Sequence, residues 1–407
     1  LANLALCYQH LKDFDAAIEG YKKVLAINPD NVAAQTNLGS ALKEQGRLDK
    51  AIEAYNRALA IKPDSAEVYN DMGFILKEQG KLEEAIAAYN KALDIRPDYA
   101  RTYNNIGNAL KDQGKLERAI EAYNKALVIK SDYADAYYNM GVVLKEQGKL
   151  GEAIGAFRKD SSIKSQTQLL KCLYQLDEPA NFFDQLDYLV DQGESNAVIG
   201  SYISRSQIKY GIKKTNPFCS EPLKYALHTN LIDRCNFTDI FIKGATDILT
   251  KDRVPNRSQK LLTNGVQTKG NLFTQIADFT GEIQNILFSE VENYRMHFKD
   301  SQEGFIKNWP SDYELRGWLV SMKSGGKLAA HMHDNGWISG SVYVNVPPKV
   351  NKDSGNFVVC FDNQQESKSI DVVTGSLCLF PSSLFHYTIP FESDENRIVL
   401  AFDVVPK

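Results

Sequence analysis

The stretch Lys327-Leu-Ala-Ala-His-Met-His-Asp-Asn-Gly-Trp-Ile-Ser-Gly-Ser-Val-Tyr-Val-Asn-Val346 decides how the C-terminal part of this chain is read. A second stretch answers it: Gly375-Ser-Leu-Cys-Leu-Phe-Pro-Ser-Ser-Leu-Phe-His-Tyr-Thr-Ile-Pro-Phe391, followed by Asn396-Arg-Ile-Val-Leu-Ala-Phe402. Three of the six histidines, His331, His333 and His386, fall in these segments. Side chains alternate along a strand, so His331 and His333 point to one face. A third imidazole arriving from a later strand makes a converging set. That set suits a borderline metal such as Fe(II), with coordination positions left open.

Working outward, the chain from about residue 313 is cut into short apolar runs by turn signals at Gly325-Gly326, Pro347-Pro348 and Thr374-Gly375. Strands are predicted over 314–321, 328–333, 339–346, 356–362, 376–380, 385–391 and 397–404. Many short strands at this spacing specify a double-sheet jelly roll, with helical spacing over 270–300 packed outside one sheet. In the last strand Arg397, Val399 and Ala401 share one face, and Ile398, Leu400 and Phe402 share the other. The large apolar set is suited to covering by helices. The other puts a guanidinium at the mouth of a small apolar interior, where it needs an anion. No acidic residue is an obvious partner, and a ligand carboxylate gripped in bidentate fashion fits. Tyr343, on a face with Ser341 and Asn345, adds a hydroxyl toward the same anion.

The N-terminal half is periodic. Gly39, Gly73, Gly107 and Gly141 recur at a step of 34 residues, as do Ala51, Ala85, Ala119 and Ala153, and Tyr55, Tyr89, Tyr123 and Phe157. Pro29, Pro63 and Pro97 close the repeats. The small residues let two helices cross closely, and the aromatic is expected to fill the gap against the next repeat. This pattern resembles the tetratricopeptide repeat, over roughly residues 1–160. In that register Leu1 falls at the fourth position, so the first repeat is expected to be truncated, with more repeats upstream. Asn3, Asn37, Asp71, Asn105 and Asn139 all take the sixth position, along the expected concave wall. The phrases Asn37-Leu-Gly-Ser-Ala-Leu-Lys-Glu-Gln-Gly46 and Asn105-Ile-Gly-Asn-Ala-Leu-Lys-Asp-Gln-Gly114 resemble repeats of the O-linked N-acetylglucosamine transferase. That enzyme's asparagine ladder holds extended peptides, so the resemblance implies a protein or peptide partner here. The alternative is a polar row that keeps an exposed face wet.

Between the halves, helical spacing continues over 161–212, expected as degenerate hairpins capping the array. Asn216-Pro-Phe-Cys-Ser-Glu-Pro222 marks a change of structure, and the stretch to about 261 has a mixed pattern with no assigned element. His228 and His297 read as structural. The expected architecture is α+β and multidomain: an all-α solenoid over 1–160, a connecting region over 161–261, and a jelly-roll domain with flanking helices over 262–407.

Composition sets the outer bounds. At 407 residues, two or three domains are expected. A formal net charge of −4 argues against a nucleic-acid binder. No apolar run reaches membrane-spanning length. The six cysteines form no CxxC, which fits reduced thiols in a cytoplasmic protein.

The order His-x-His-x-Asn-x-Trp-x-Ser-Gly-x-x-Tyr, then Gly-x-Leu-x-Leu-Phe-Pro-Ser-x-x-x-His with a following arginine, resembles a family of Fe(II)/2-oxoglutarate-dependent oxygenases. Members of that family are often joined to tetratricopeptide repeats. The resemblance covers roughly residues 262–405. It implies a double-stranded β-helix, iron on His331 and His386, and 2-oxoglutarate held by Arg397 with help from Tyr343. One position departs from the wider superfamily, whose pattern is His-x-Asp/Glu: here it is His333. Either three histidines bind the iron, or Asp334 turns in and His333 stands behind it; strand parity favours His333.

The function so implied is a dioxygenase, a hydroxylase whose protein or peptide substrate is recruited by the array. Two other readings stand beside it. One is an interaction scaffold with an inactive barrel. The other is a cupin-type three-histidine dioxygenase that does not use 2-oxoglutarate.

Overall fold

Each 34-residue period folds into a pair of helices: Val32–Glu44 with Leu48–Ile61, Ala66–Glu78 with Leu82–Ile95, Ala100–Asp112 with Leu116–Ile129, and Ala134–Glu146 with Leu150–Phe157. Ala2–His10 and Phe14–Ile27 precede them. The turn within each pair uses a glycine in the left-handed region, as at Gly114 with φ 74°. The aromatic lies on the glycine of its own repeat, and its hydroxyl end reaches the next one, as with Tyr21 toward Asn37 and Tyr55 toward Asp71. A Cβ on Gly107 would sit 2.4 Å from Cε1 of Tyr123, and Gly39, Gly73 and Gly141 face Tyr55, Tyr89 and Phe157 in the same way. The missing Cβ is what lets the ring lie flat against the helix. Successive repeats are also tied by a recurring amide: Gln45, Gln79, Gln113 and Gln147 donate to Asp15, Asp49, Glu83 and Glu117 at 2.8, 2.9, 3.1 and 3.1 Å.

In this computed structural model residues 1–250, 254–257, 259–361 and 366–407 are described, and the chain divides into two units, Leu1–Gln185 and Leu186–Lys407. Three helices, Ile163–Gln175, Pro179–Asp191 and Ala197–Tyr210, follow the periodic part. Among the described residues no helix is long and apolar enough to cross a membrane.

The second unit is built on ten strands: β1 (Leu227–Asn230), β2 (Asn256–Arg257), β3 (Leu262–Thr268), β4 (Tyr313–Leu328), β5 (Ile338–Asn345), β6 (Phe357–Cys360), β7 (Ser367–Ile370), β8 (Ser376–Pro381), β9 (Phe385–Thr388) and β10 (Arg397–Pro406). They form an antiparallel seven-stranded sheet, ordered β1-β8-β5-β10-β4-β3-β2, and a three-stranded sheet, β7-β6-β9. Alternation assigns the faces. Val320, Met322, Tyr343, Phe380 and Val399 from the large sheet pack on Phe357 and Val359 from the small one. On the opposite face Leu319, Val342, Leu379, Leu400 and Phe402 are covered by the helix Ala277–His297 through Ile283, Leu287, Val291 and Tyr294. The last strand therefore divides as its parity implies.

Several expectations for the strands change; the one over 385–391, for instance, ends at Thr388. The turn expected at Gly325-Gly326 is a bulge inside one continuous strand, because β3 pairs with β4 on both sides of it, with a register shift between Thr263 and Gly265. Of the strand expected over 328–333, Leu328 ends β4 and the remainder is reduced to an isolated bridge at His331. The strand expected over 356–362 is β6, and residue 362 lies outside the described residues. The unassigned stretch before residue 262 contributes β1, which extends the large sheet beside β8.

Candidate functional site

His331 and His386 are brought together by backbone pairing. His331 N–H donates to the His386 carbonyl at 3.2 Å, and His386 N–H donates back at 2.8 Å. His333 follows two residues later in the same extended run. One ring nitrogen from each of the three lies within 4.8 Å of the others. The ring partners fix which nitrogens face inward. His331 Nδ1 is 2.9 Å from the Ala329 carbonyl oxygen, which can only accept, so Nδ1 carries the hydrogen. His333 Nδ1 is 2.6 Å from Asp403 Oδ1 and donates to it. The Nε2 atoms of the two rings face each other at 3.2 Å, that of His331 with its lone pair toward His333. A proton on His333 bridges them in the metal-free protein, and a metal ion can take that proton's place. The third ring, His386, is 4% exposed and its Nδ1 has no hydrogen-bond partner. This donor set fits a borderline divalent metal.

Charge follows the same geometry. Burial and the neighbouring His333 lower the pKa of His331 to about 4, and burial takes His386 well below the usual imidazole value. Burial also works against a charge on His333, but the Asp403 carboxylate outweighs it and raises that pKa. Neutral imidazoles at 331 and 386 are in the form that binds metal.

Arg397, the first residue of β10, is 0% exposed. Its Nη1 donates to the Gly355 carbonyl, while Nε and Nη2 have no partner. The guanidinium lies 4.9 Å from the centre of the Tyr343 ring, and no carboxylate among the described residues pairs with it. A small cavity joins Tyr343, Ser341 and Thr388 to the three histidines. Asp334 is exposed and is not part of the histidine group.

Sequence reasoning missed Asp403. It lies two residues beyond Ala401 on the same face of β10, so extending the parity would have placed it inside; its pairing with His333, 70 positions earlier, has no local signature. Of the two histidines read as structural, His228 shares a hydrogen bond with the Ser376 hydroxyl at 2.9 Å and His297 packs edge-on against Phe298.

Along the repeats, Asn3 is exposed, and Asn37, Asp71, Asn105 and Asn139 are half-buried. The amides of Asn105 and Asn139 each donate at 3.0 Å to Asn70 and Asn104 of the preceding repeat, and Asp71 pairs with Arg101 at 3.5 Å. These side chains are therefore partly committed to the junctions between repeats.

Residues 316–403 match the family described as "Putative 2OG-Fe(II) oxygenase". Tetratricopeptide repeat families match residues 1–31, 21–53, 39–80, 75–114, 107–148 and 134–167. Similar solved structures include MamA, 30% identical with a TM-score of 0.36, covering 41% of this chain and 96% of that one. PilW, a type IV pilus biogenesis factor, is 24% identical with a TM-score of 0.42, covering 46% of this chain and 90% of that one. PilF of Pseudomonas aeruginosa is 20% identical with a TM-score of 0.43, covering 49% of this chain and 94% of that one. No curated protein matches the chain.

Proposed function

We propose that this chain, a tetratricopeptide repeat array joined to a domain matched by the 2OG-Fe(II) oxygenase family, is a dioxygenase that hydroxylates a protein or peptide. In this reading His331, His333 and His386 hold Fe(II), and Arg397 holds the far carboxylate of 2-oxoglutarate.

The observation that carries the reading is the pair of unpartnered nitrogens on a fully buried Arg397. A buried cation without a counter-ion is costly, so the fold retains it for an anion that arrives with a ligand. Nε and Nη2 form the fork that grips a carboxylate in bidentate fashion. Asp403, whose carboxylate bonds His333, and Arg397 stand on the same face of β10. Arg397 and Ala401, which lines the histidine cavity, are four residues apart, about 13 Å at strand rise. A ligand that joins the two ends would run along this face of β10.

Bound Fe(II), with 2-oxoglutarate and O2, would supply oxidative C–H hydroxylation and release succinate and CO2. The chain's own residues position and shield. Tyr343 stands beside the guanidinium, its ring centre 4.9 Å away, and favours its charged form. Phe357, Val399 and Ala401 exclude water around the histidines. The array would bring the substrate, with the remaining amide valences of Asn37, Asn105 and Asn139 available to an extended backbone. A cytoplasmic setting accords with the free thiols.

The three-histidine set also suits a cupin-type dioxygenase that takes no 2-oxoglutarate, but that reading leaves Arg397 without a purpose, as does an inactive scaffold. The test is anaerobic titration of the Fe(II)-loaded protein with 2-oxoglutarate, following the weak visible charge-transfer band. The band is expected in wild type and lost in both His386→Ala and Arg397→Ala. Iron binding without a band favours the cupin-type reading; no metal binding favours the scaffold.

A further inference from the structure

We propose that Asp403 is a positioning residue of this metal centre: through His333 it supplies the negative charge that a ligand set of three imidazoles lacks. The inference rests on the metal-site reading above.

The placement is set by the sheet. Asp403 on β10 and Ser339 on β5 are directly paired in register, on the face that looks into the barrel. Ser339 Oγ donates to Asp403 Oδ1 at 2.7 Å and lies 2.8 Å from Ser382 Oγ. The same carboxylate oxygen accepts from His333 Nδ1 at 2.6 Å. Asp403 is 7% exposed, and its ion pair among the described residues is with His333. A carboxylate so buried is retained only where a cation offsets it. A protonated His333 can offset it in the metal-free chain; in the loaded centre the compensating charge is the metal, one imidazole away. A carboxylate on the far nitrogen of a ligating imidazole fixes the ring's tautomer and increases its basicity as a ligand. Asp403 thus acts where a directly bound carboxylate would, displaced outward by one ring. Its negative charge also favours the higher oxidation state of bound iron.

The experiment uses the full chain, stripped with chelator, and compares wild type with Asp403→Asn, which keeps shape and removes charge. Co(II) and Fe(II) affinities are measured anaerobically, the Fe(III)/Fe(II) potential by spectroelectrochemistry, and the ring N–H signal of His333 by NMR on the diamagnetic Zn(II) form. The expected result is one metal per chain in both proteins, bound about 10–100-fold more weakly by the variant. Its potential moves positive, and the downfield His333 proton signal of wild type is lost. Affinity within about twofold of wild type, with an unchanged potential, overturns the proposal and leaves Asp403 a structural residue. If Asp403→Asn does not fold, Ser339→Ala keeps the carboxylate and removes one of its donors. The potential then moves negative; an unmoved potential overturns the proposal. Wild type that binds no metal overturns the metal-site reading itself, whereas wild-type binding equalled by the variant overturns only this inference.

Discussion

The guanidinium of Arg397 lies 4.9 Å from the centre of the Tyr343 ring, with Nε and Nη2 unpartnered and the whole residue 0% exposed. A charge held this way weakens the ligand-free fold. Arg397→Met, of similar length and without charge, is therefore expected to stabilise the ligand-free protein by about 1–4 kcal/mol. Addition of 2-oxoglutarate with Mn(II) should raise the melting temperature of wild type and leave that of the variant unchanged. Urea denaturation and thermal scans check both halves. A less stable Arg397→Met protein would mean that the guanidinium serves the fold rather than a ligand.

The histidines give the metal-free protein a pH signature. The pKa of His331 falls from 6.5 unfolded to about 4 folded, and burial takes that of His386 well below its usual value. Between those values the unfolded chain takes up protons that the folded one refuses, so stability declines as pH drops from 6.5 toward about 4. His333 has the opposite sign: its raised pKa gives a contribution fully present below 6.5 and lost as pH rises through the folded value. The two effects occupy different windows. Denaturant midpoints of metal-free protein across this range should show the acid decline, shallower in His386→Leu, which has no imidazole there to protonate.

The close approach of Gly107 to Tyr123 is testable in the array. A Cβ at 107 would lie 2.4 Å from the ring, so Gly107→Ala overpacks the helix pair and should cost about 1–3 kcal/mol. Tyr123→Leu removes the obstruction at the cost of a cavity. The two changes act on one contact, and the double variant should cost less than the sum of the singles, by equilibrium unfolding. Additive costs would mean that the ring moves aside freely.

What could be read beforehand followed from periodicity. A 34-residue step fixes where helices end and which residues meet, and period two along β10 separated Arg397 from Leu400 without knowledge of any partner. Long-range pairing left no such trace. Leu227–Asn230 joins the sheet by pairing with residues 376–379, and nothing in its own four residues announces that. The Gly325-Gly326 pair signals a turn locally, yet β3 holds the ladder on both sides of it. The same limit hid the bond between Asp403 and His333, although each residue's face was deducible.

That bond leads to the final prediction. The resemblance read from the sequence implies a carboxylate where His333 stands, which makes His333→Asp look like a restoration. In this barrel it should fail. The new carboxylate would occupy space within reach of Asp403, whose Oδ1 is 2.6 Å from the His333 ring. Two carboxylates sharing a buried site cannot both ionise, and one is forced to bind a proton. His333→Asp alone should therefore bind Fe(II) more weakly than wild type. His333→Asp combined with Asp403→Asn removes the repulsion, keeps one negative charge at the centre and should recover affinity. Anaerobic Fe(II) titration of the two variants decides it. A single variant that binds as tightly as the double would show that the charge of Asp403 does not reach the metal position.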